Sequence, residues 1–476
     1  MEKKPPNDLG AAIYFTAMMT RRVPIIAVAT APGKAGLGVI RISGTNLTPI
    51  ATALFQKVLK PREAHLLTLR DASGAAIDQL IAIHFVAPAS FTGEDVLELQ
   101  CHGGPQLLEL VMRRCLELAK DDGLVIAEPG EFTLRAYLND KIDLAQAEAI
   151  ADLIEAQSEA AVRGAARSLQ GTFSNDVNDL IEEITQLRIL VESTLDFPEE
   201  EIEFLENAQA RERLNRVSDR LSALREGAKQ GKILRDGIQV VLAGAPNVGK
   251  SSLLNRLAGE EVAIVTPIAG TTRDRVKESI NLDGVPMHVI DTAGLRETDD
   301  VVESKGIERS WDAIRLADLV IFLKDFNAKD SPEAATEETL RKEILRALPP
   351  KCEVLEVINK SDLLSKVDSP PPEGSLLISA KTGSGIADLK RKILGAAGWG
   401  GSQEGAIISR RRHLNCLDGA ADHIEKAQKF AANGNISLDL FAEELRLAQD
   451  QLGQITGKLL PDDLLGKIFS QFCIGK

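Results

Sequence analysis

The residues Gly244-Ala245-Pro246-Asn247-Val248-Gly249-Lys250-Ser251 fit the spacing G-x-x-x-x-G-K-[ST]. Glycines at such positions let the backbone turn tightly, so that successive N–H groups converge on phosphate oxygens. The pattern carries Lys250 to the terminal phosphates and the Ser251 hydroxyl to Mg²⁺. Further along, Asp291-Thr292-Ala293-Gly294 supplies a carboxylate that holds the same cation through water. Its glycine lets an amide approach the last phosphate. Asn359-Lys360-Ser361-Asp362 supplies a carboxylate that accepts two N–H bonds from guanine, and Ser379-Ala380-Lys381 follows it. Adenine has no matching donor pair and would leave that buried carboxylate unpaired. The chemistry implied is the binding and hydrolysis of GTP with Mg²⁺.

Each motif needs a strand end to hold it. Ile238–Ala243 is a largely apolar run that reads as a buried parallel strand, and Ser252-Leu253-Leu254-Asn255-Arg256-Leu257 as the first turns of a helix. The helix N-terminus adds partial positive charge at the phosphates. Val285–Ile290, Val354–Ile358 and Leu376–Ile378 read as the strands before the later motifs, with Val276–Leu282 as an edge strand. Strand and helix alternate from Gly237 to about Ala397, as a doubly wound parallel sheet requires. The ordered set resembles the GTP-binding domains of the Ras-like translation-factor class.

The flanks differ in texture. Pro24 to Asn139 is mixed: Ile25–Ala29, Val39–Ile42, Ile81–Val86 and Val96–Gln100 read as strands, Pro105–Ala119 as a helix, and Gly33–Gly38 as a Gly-rich turn. His102-Gly103-Gly104 reads as a tight turn, because no Gly-x-Ser-x-Gly elbow accompanies it. Amphipathic runs then dominate: Ala145–Ala161, Val177–Thr194 and Ala208–Gln230. After a Gly-rich linker, Gly395 to Gly405, helices return at Arg410–Ala432, Leu438–Ile455 and Asp462–Phe472. The economical arrangement is one helical domain with the nucleotide domain inserted into it, so that nucleotide state moves helices directly.

A chain of 476 residues suggests roughly three domains, and 44% hydrophobic residues suffice for packed cores. The formal charge of −14 argues against a broad basic face for nucleic acid, so an RNA partner is met locally or through another protein. No apolar run is long enough to span a bilayer. The five cysteines are scattered, with neither Cys-x-x-Cys nor His-Glu-x-x-His spacing, which argues against zinc and for a reducing, cytosolic compartment. Residues 1–22 read as a frayed extension too weakly apolar for a secretory signal.

From about Pro24 to the last residue the chain resembles the MnmE (TrmE) tRNA modification GTPases. The resemblance rests on Pro32-Gly33, Arg41-Ile42-Ser43-Gly44, Phe91-Thr92-Gly93-Glu94-Asp95 and Pro129-Gly130-Glu131-Phe132. It continues through Asn139-Asp140-Lys141, Asp143–Ala149, Asp462-Asp463-Leu464-Leu465-Gly466 and the end Phe472-Cys473-Ile474-Gly475-Lys476. It implies a multidomain α/β and α protein. The expected domains are an extension (1–22), an α+β tetrahydrofolate-binding and dimerisation domain (23–140) and a first helical segment (141–235). An inserted Ras-like P-loop GTPase domain (236–398) follows, and a second helical segment (399–476) completes the discontinuous helical bundle.

The resemblance also implies a homodimer that binds 5-formyl-tetrahydrofolate and works in the cytoplasm with an FAD-containing MnmG-type partner. Together they install a carboxymethylaminomethyl or aminomethyl group on carbon 5 of the wobble uridine of certain tRNAs. Arg41, Glu98, Lys141 and Lys476 match the family's folate positions, and their charges suit glutamate carboxylates and a pterin N–H edge. Potassium falls to Asn247, Thr266, Ile268 and Thr271, and Mg²⁺ to Ser251 and Thr272. The nucleotide-binding set comprises Asn247 to Ser252, switch segment Thr266-Pro267-Ile268-Ala269-Gly270-Thr271-Thr272, Asp291 to Gly294, Asn359, Lys360, Asp362 and Ser379 to Lys381. Leu295 stands where Ras-like enzymes place a water-orienting Gln and has no hydrogen-bonding group. Another side chain must orient the water; Glu297, Asp299, Asp300 and Glu303 follow, and the family pattern selects Glu303.

Three readings stay open. Asn247 also suits a plain turn. Cys473 is either a reactive thiol or a small apolar residue of a terminal helix. Arg410-Arg411-Arg412-His413 either touches tRNA or the partner, or is a solvated helix face. The competing function is an assembly or ribosome-associated GTPase switch with no role in modification chemistry, against which the N-terminal domain and the Cys-x-Gly-Lys end both count. A membrane-transporter regulator is disfavoured by the lack of a spanning segment.

Overall fold

The computed structural model describes residues 23–196, 210–259, 277–291, 311, 314–325, 334–349, 352–363, 374–401, 406–432, 438–458, 462–470, 472 and 475. They fall into two compact units. One takes its residues from Met1–Ala151, Val177–Glu182 and Arg446–Lys476, the other from Asp152–Asp176 and Glu183–Leu445.

The first unit is built on a sheet of β1 (Ile25–Val28), β2 (Ala35–Gly44), β3 (His65–Arg70), β4 (Ala76–Phe85), β5 (Asp95–Gly103) and β6 (Val125–Ile126). The strand order is β3-β4-β5-β2-β1-β6, antiparallel except for the β1–β6 pair. Period-two alternation decides its faces. Ile40, Ile42, Leu97, Leu99 and Cys101 point one way and are buried with Ile50, Leu54, Val111 and Cys115 of the helices Thr48–Phe55 and Pro105–Leu118. Arg41 and Glu98 point the other way, where Phe132 of the helix Glu131–Leu138 packs with Ile25, Ala27 and Ala127.

Two local expectations are corrected here. Gly33–Gly38 is not wholly a turn: β2 begins at Ala35 and runs on through Gly38 with a shift of register. His102 and Gly103 belong to β5 rather than to a turn. A Cβ on Gly103 would stand 2.6 Å from the Ala35 oxygen, so this glycine serves the close approach of β2 to β5.

The second unit holds β7 (Ile238–Ala243), β8 (Lys277–Leu282), β9 (Val285–Asp291), β10 (Leu319–Asp325), β11 (Glu353–Asn359) and β12 (Leu376–Leu377), in the order β12-β11-β10-β7-β9-β8. All pairs are parallel except β8–β9. The chain leaves β7 toward β9 on one side and returns through β10 on the other. The sheet therefore reverses its winding beside β7, and the crevice beyond its carboxyl end is where such a sheet takes ligands. β10 is an apolar run that carries none of the motifs, and the sequence reading does not assign it.

Helices make up much of the rest of the chain. The expected single run Ala145–Ala161 is two helices, Leu144–Glu155 and Glu159–Leu169. Ser158 starts the second by accepting the Ala161 amide at 3.2 Å on its hydroxyl. The helix Ala210–Asp236 is longer than expected and meets β7 after only Gly237, whose φ of +69° makes the turn. The expected linker from Gly395 is not all solvated, because Trp399 is buried in the same core as β7 and the helix Ile386–Ala396.

The long helix also yields a prediction. A Cβ on Gly231 would fall 1.7 Å from the Ile407 oxygen, whereas one on Gly227 meets nothing within 4 Å. Glycine to alanine inside a helix ordinarily stabilises by about 1 kcal/mol. Gly227→Ala is expected to do so, whereas Gly231→Ala is expected to cost about 2–3 kcal/mol through backbone displacement. Thermal unfolding of the two variants decides it, and equal shifts of one sign would refute the close packing at Ile407.

Candidate nucleotide site

β7 ends in the phosphate loop, and the helix Lys250–Ala258 begins directly after it. Gly244, at φ +155°, lies so close to β10 that a Cβ would stand 2.3 Å from the Leu323 oxygen. Asn247 adopts φ +63° and is exposed. That left-handed conformation is one Asn tolerates in turns for its own sake. Lys250 Nζ donates to the Gly244 oxygen at 2.7 Å and the Ala245 oxygen at 3.1 Å, which holds its charge over the loop. Val248 is buried, while Ser251 and Ser252 stand exposed on the first helical turn.

Two segments expected to read the base, Asn359–Asp362 and Ser379–Lys381, close on this loop through Asn359. Its buried side chain donates from Nδ2 to the Val248 oxygen at 2.8 Å and accepts the Ala380 amide on Oδ1 at 3.0 Å. Gly249 makes room for it, since a Cβ there would be 2.4 Å from Asn359 Nδ2. One amide side chain thus fastens the phosphate loop to Ser379–Lys381. Ser379 Oγ donates to Asp362 Oδ1 at 2.6 Å. That hydroxyl holds the Asp362 carboxyl below its ordinary value, so the group is an ionised acceptor at neutral pH. Lys360, at φ +66°, lays its ammonium on Asp325 Oδ2 at 2.6 Å. Asp325 ends the unassigned strand β10, which is why sequence reasoning misses it. Arg256 is missed too; it reaches the carbonyls of Ala380 and Lys381. A cavity of about 260 Å³ opens beside it, lined by Ser252, Asn255, Arg256, Gly259 and Ala380.

The switch segment Thr266–Thr272, Thr292, Ala293, Gly294, Leu295, Glu297, Asp299, Asp300, Glu303, Cys473 and Lys476 lie outside the described residues. Asp291 closes β9, and its side chain also lies outside them.

In the first unit, Arg41 and Glu98 are cross-strand partners on β2 and β5. Arg41 donates to Glu98 Oε1 from Nε at 3.0 Å and from Nη2 at 2.8 Å, and its guanidinium lies 5.4 Å from the Phe91 ring centroid. Lys141 Nζ donates to the Pro88 oxygen at 3.0 Å, so it meets the same β4–β5 connection that carries Phe91. Below them is a buried network. Arg135 donates to Glu94 Oε2, Glu131 Oε1 and the Val23 oxygen, each at 2.9 Å, and Ser43 joins Glu94 and Thr92. Satisfied in this way, the charges tie the helix Glu131–Leu138 to the sheet beneath Arg41. Gly475 approaches β1 so closely that a Cβ would be 2.2 Å from the Val28 oxygen.

Two other features narrow the reading. Burial pushes the thiols of Cys101 and Cys115 up to about 12 and that of Cys352 up to about 11, so none of them is a thiolate at neutral pH. The Arg410–His413 run is largely consumed inside its own unit. Arg410 Nη2 grips Asp152 Oδ1 at 2.8 Å beside Arg235, and buried His413 packs on the Phe173 ring. Only Arg411 of the run is exposed.

Residues 24–141 match the family model described as GTP-binding protein TrmE N-terminus, and residues 144–473 match that described as MnmE helical domain. The chain belongs to the MnmE (TrmE) family. It is 76% identical over 462 residues to the tRNA modification GTPase MnmE of Polynucleobacter asymbioticus, covering 96% of this chain and 100% of that protein. The tRNA modification GTPase MnmE of Bordetella parapertussis is 56% identical over 458 residues, again with 96% and 100% covered. That of Ralstonia nicotianae is 54% identical over 462 residues, with 96% and 97% covered. The MnmE likeness thus runs through both sheets and the helices between and after them. Among the described residues, no helix is long and apolar enough to cross a membrane.

Proposed function

We propose that this chain is a GTP hydrolase in tRNA modification. With an FAD-containing MnmG-type partner it adds a carboxymethylaminomethyl or aminomethyl group to carbon 5 of the wobble uridine of certain tRNAs. The observation that carries the nucleotide half is the join made by Asn359 between the phosphate loop and the base loop, with ionised Asp362 on Ser379. Family membership carries the tRNA half.

The residues suit the groups they would hold. The exposed Ser251 hydroxyl is a hard oxygen ligand of the kind Mg²⁺ takes, with Thr272 as its expected companion. Potassium would add positive charge between the transferring and leaving phosphates, where other GTPases use an arginine finger. Exposed Asn247 offers a carbonyl oxygen for it, with Thr266, Ile268 and Thr271 as the further ligands. For 5-formyl-tetrahydrofolate, Arg41 and Glu98 now satisfy each other. A ligand bearing both a carboxylate and an N–H edge replaces that pair without leaving either charge bare. Lys141 and Lys476 complete the folate set. The proposal includes the domain boundaries given above, dimerisation through residues 23–140 and a cytoplasmic location.

Analysis of tRNA nucleosides after deletion of this protein tests the whole reading. Loss of the substituent on the wobble uridine, restored by the wild-type chain, is expected. An unchanged nucleoside profile would contradict it and favour an assembly switch that only times release.

A further inference from the structure

Arg256 belongs to none of the motifs that announce the site. It is half-buried on the helix that begins at Lys250, and it reaches across to the base loop. Its Nε donates to the Ala380 oxygen at 3.3 Å and its Nη2 to the Lys381 oxygen at 2.8 Å. Gly383 follows at φ +89°, a left-handed conformation that turns the base loop back beneath the guanidinium, which lies in ordinary contact range of it.

The consequence follows from peptide geometry. A peptide unit is planar and trans, so its C=O and N–H point in opposite directions. The Ala380 carbonyl and the Lys381 amide belong to one such unit. Gripping that carbonyl on Arg256 therefore turns the Lys381 N–H to the opposite side. The neighbouring Ala380 N–H is engaged with Asn359 Oδ1. No hydrogen bond from the Lys381 N–H occurs among the described residues. The oxygen on C6 separates guanine from adenine and 2-aminopurine, and it needs a donor beside the carboxylate that reads the N1–H and amino group. The loop's available donor is the Lys381 amide.

We propose that Arg256 is a positioning residue for base recognition, aiming the Lys381 N–H at the C6 oxygen of guanine. A planar fork with several donors suits two consecutive carbonyls, where a lysine would present a single point charge. Because Arg256 and Lys250 stand on one short helix, the same rigid element sets both the phosphate grip and the base-reading amide. The inference rests on the guanine-nucleotide reading of the site and goes beyond it by assigning a residue that selects the purine.

The test compares two ligands on the purified full-length chain by calorimetry: GDP, and the diphosphate of 2-aminopurine riboside, which lacks the C6 oxygen and with it the N1 proton, so that only the change on substitution, ligand by ligand, is read. Arg256→Ala is expected to weaken GDP by about tenfold, the worth of a mispositioned hydrogen bond, and the analogue by less than about twofold. Arg256→Lys is expected to recover some of the GDP loss. An equal loss for both ligands would reduce Arg256 to a packing role, and no loss for GDP would overturn the proposal outright. A wild-type chain that does not prefer GDP to the analogue would instead sink the guanine reading beneath it. If Arg256→Ala does not fold, as its thermal melt reports, Arg256→Lys carries the same comparison with a smaller GDP-selective loss.

Discussion

Asp362→Asn is expected to weaken GDP binding by about 10³-fold, the combined worth of two charge-assisted hydrogen bonds from the base. On the proposed reading the carboxylate accepts guanine's N1–H and exocyclic amine, and the Ser379 hydroxyl holds it ionised. An Asn keeps an oxygen for Ser379, so the loop should hold its shape. Its second atom, however, is now a donor aimed at a donor. Xanthine carries a carbonyl where guanine carries that amine. The variant is therefore expected to bind xanthosine diphosphate more tightly than GDP, a reversal that general loss of folding cannot produce. Titration of both nucleotides against both proteins measures it. GDP affinity unchanged by the substitution would mean that Asp362 does not read the base. Because the carboxyl is held below its ordinary value, wild-type GDP binding should also persist at acidities where a free carboxylate is already half protonated.

Glu303→Ala is expected to slow GTP hydrolysis by about 10²–10³-fold, within the range for a lost proton-transfer or water-positioning group, while leaving GDP affinity unchanged. The motive is chemical: Leu295 has no atom that can orient water, so the work must fall to another side chain. We propose Glu303, in the acidic segment that follows. Single-turnover rates separate the step from binding, and undiminished hydrolysis in the variant would reassign it to Glu297, Asp299 or Asp300. The same assay in sodium instead of potassium is expected to slow the wild-type chain. Equal rates in the two salts would remove potassium from the account and leave Asn247 with the turn its φ of +63° already explains.

What could be read in advance was whatever depends on local backbone chemistry. The phosphate loop declared itself because its glycines are demanded by close approach to Leu323 and Asn359, and that demand restricts residue type. Most strands around it showed as apolar runs, and the α+β sheet, the helices and the doubly wound sheet all have the expected character. What stayed hidden depends on partners far away in the chain. Arg256 and Ala380 are separated by 124 positions, and nothing in either neighbourhood announces the contact. Arg410 looked like a member of a basic surface run because its partner, Asp152, lies 258 positions earlier. Arg41 and Glu98 were selected by resemblance alone; that they face each other across two strands is a matter of register, which composition does not reveal. The break at Ser158 was missed because its hydroxyl competes for a backbone amide inside an otherwise continuous amphipathic run.

The most direct test of the central claim, a guanine-selective pocket at the carboxyl end of β7, is calorimetric titration of the purified chain with GDP and with ATP. Saturable heat with GDP and none with ATP is the predicted result. Tight binding of ATP with no heat from GDP would contradict it, and the wobble-uridine assignment would lose its nucleotide with it.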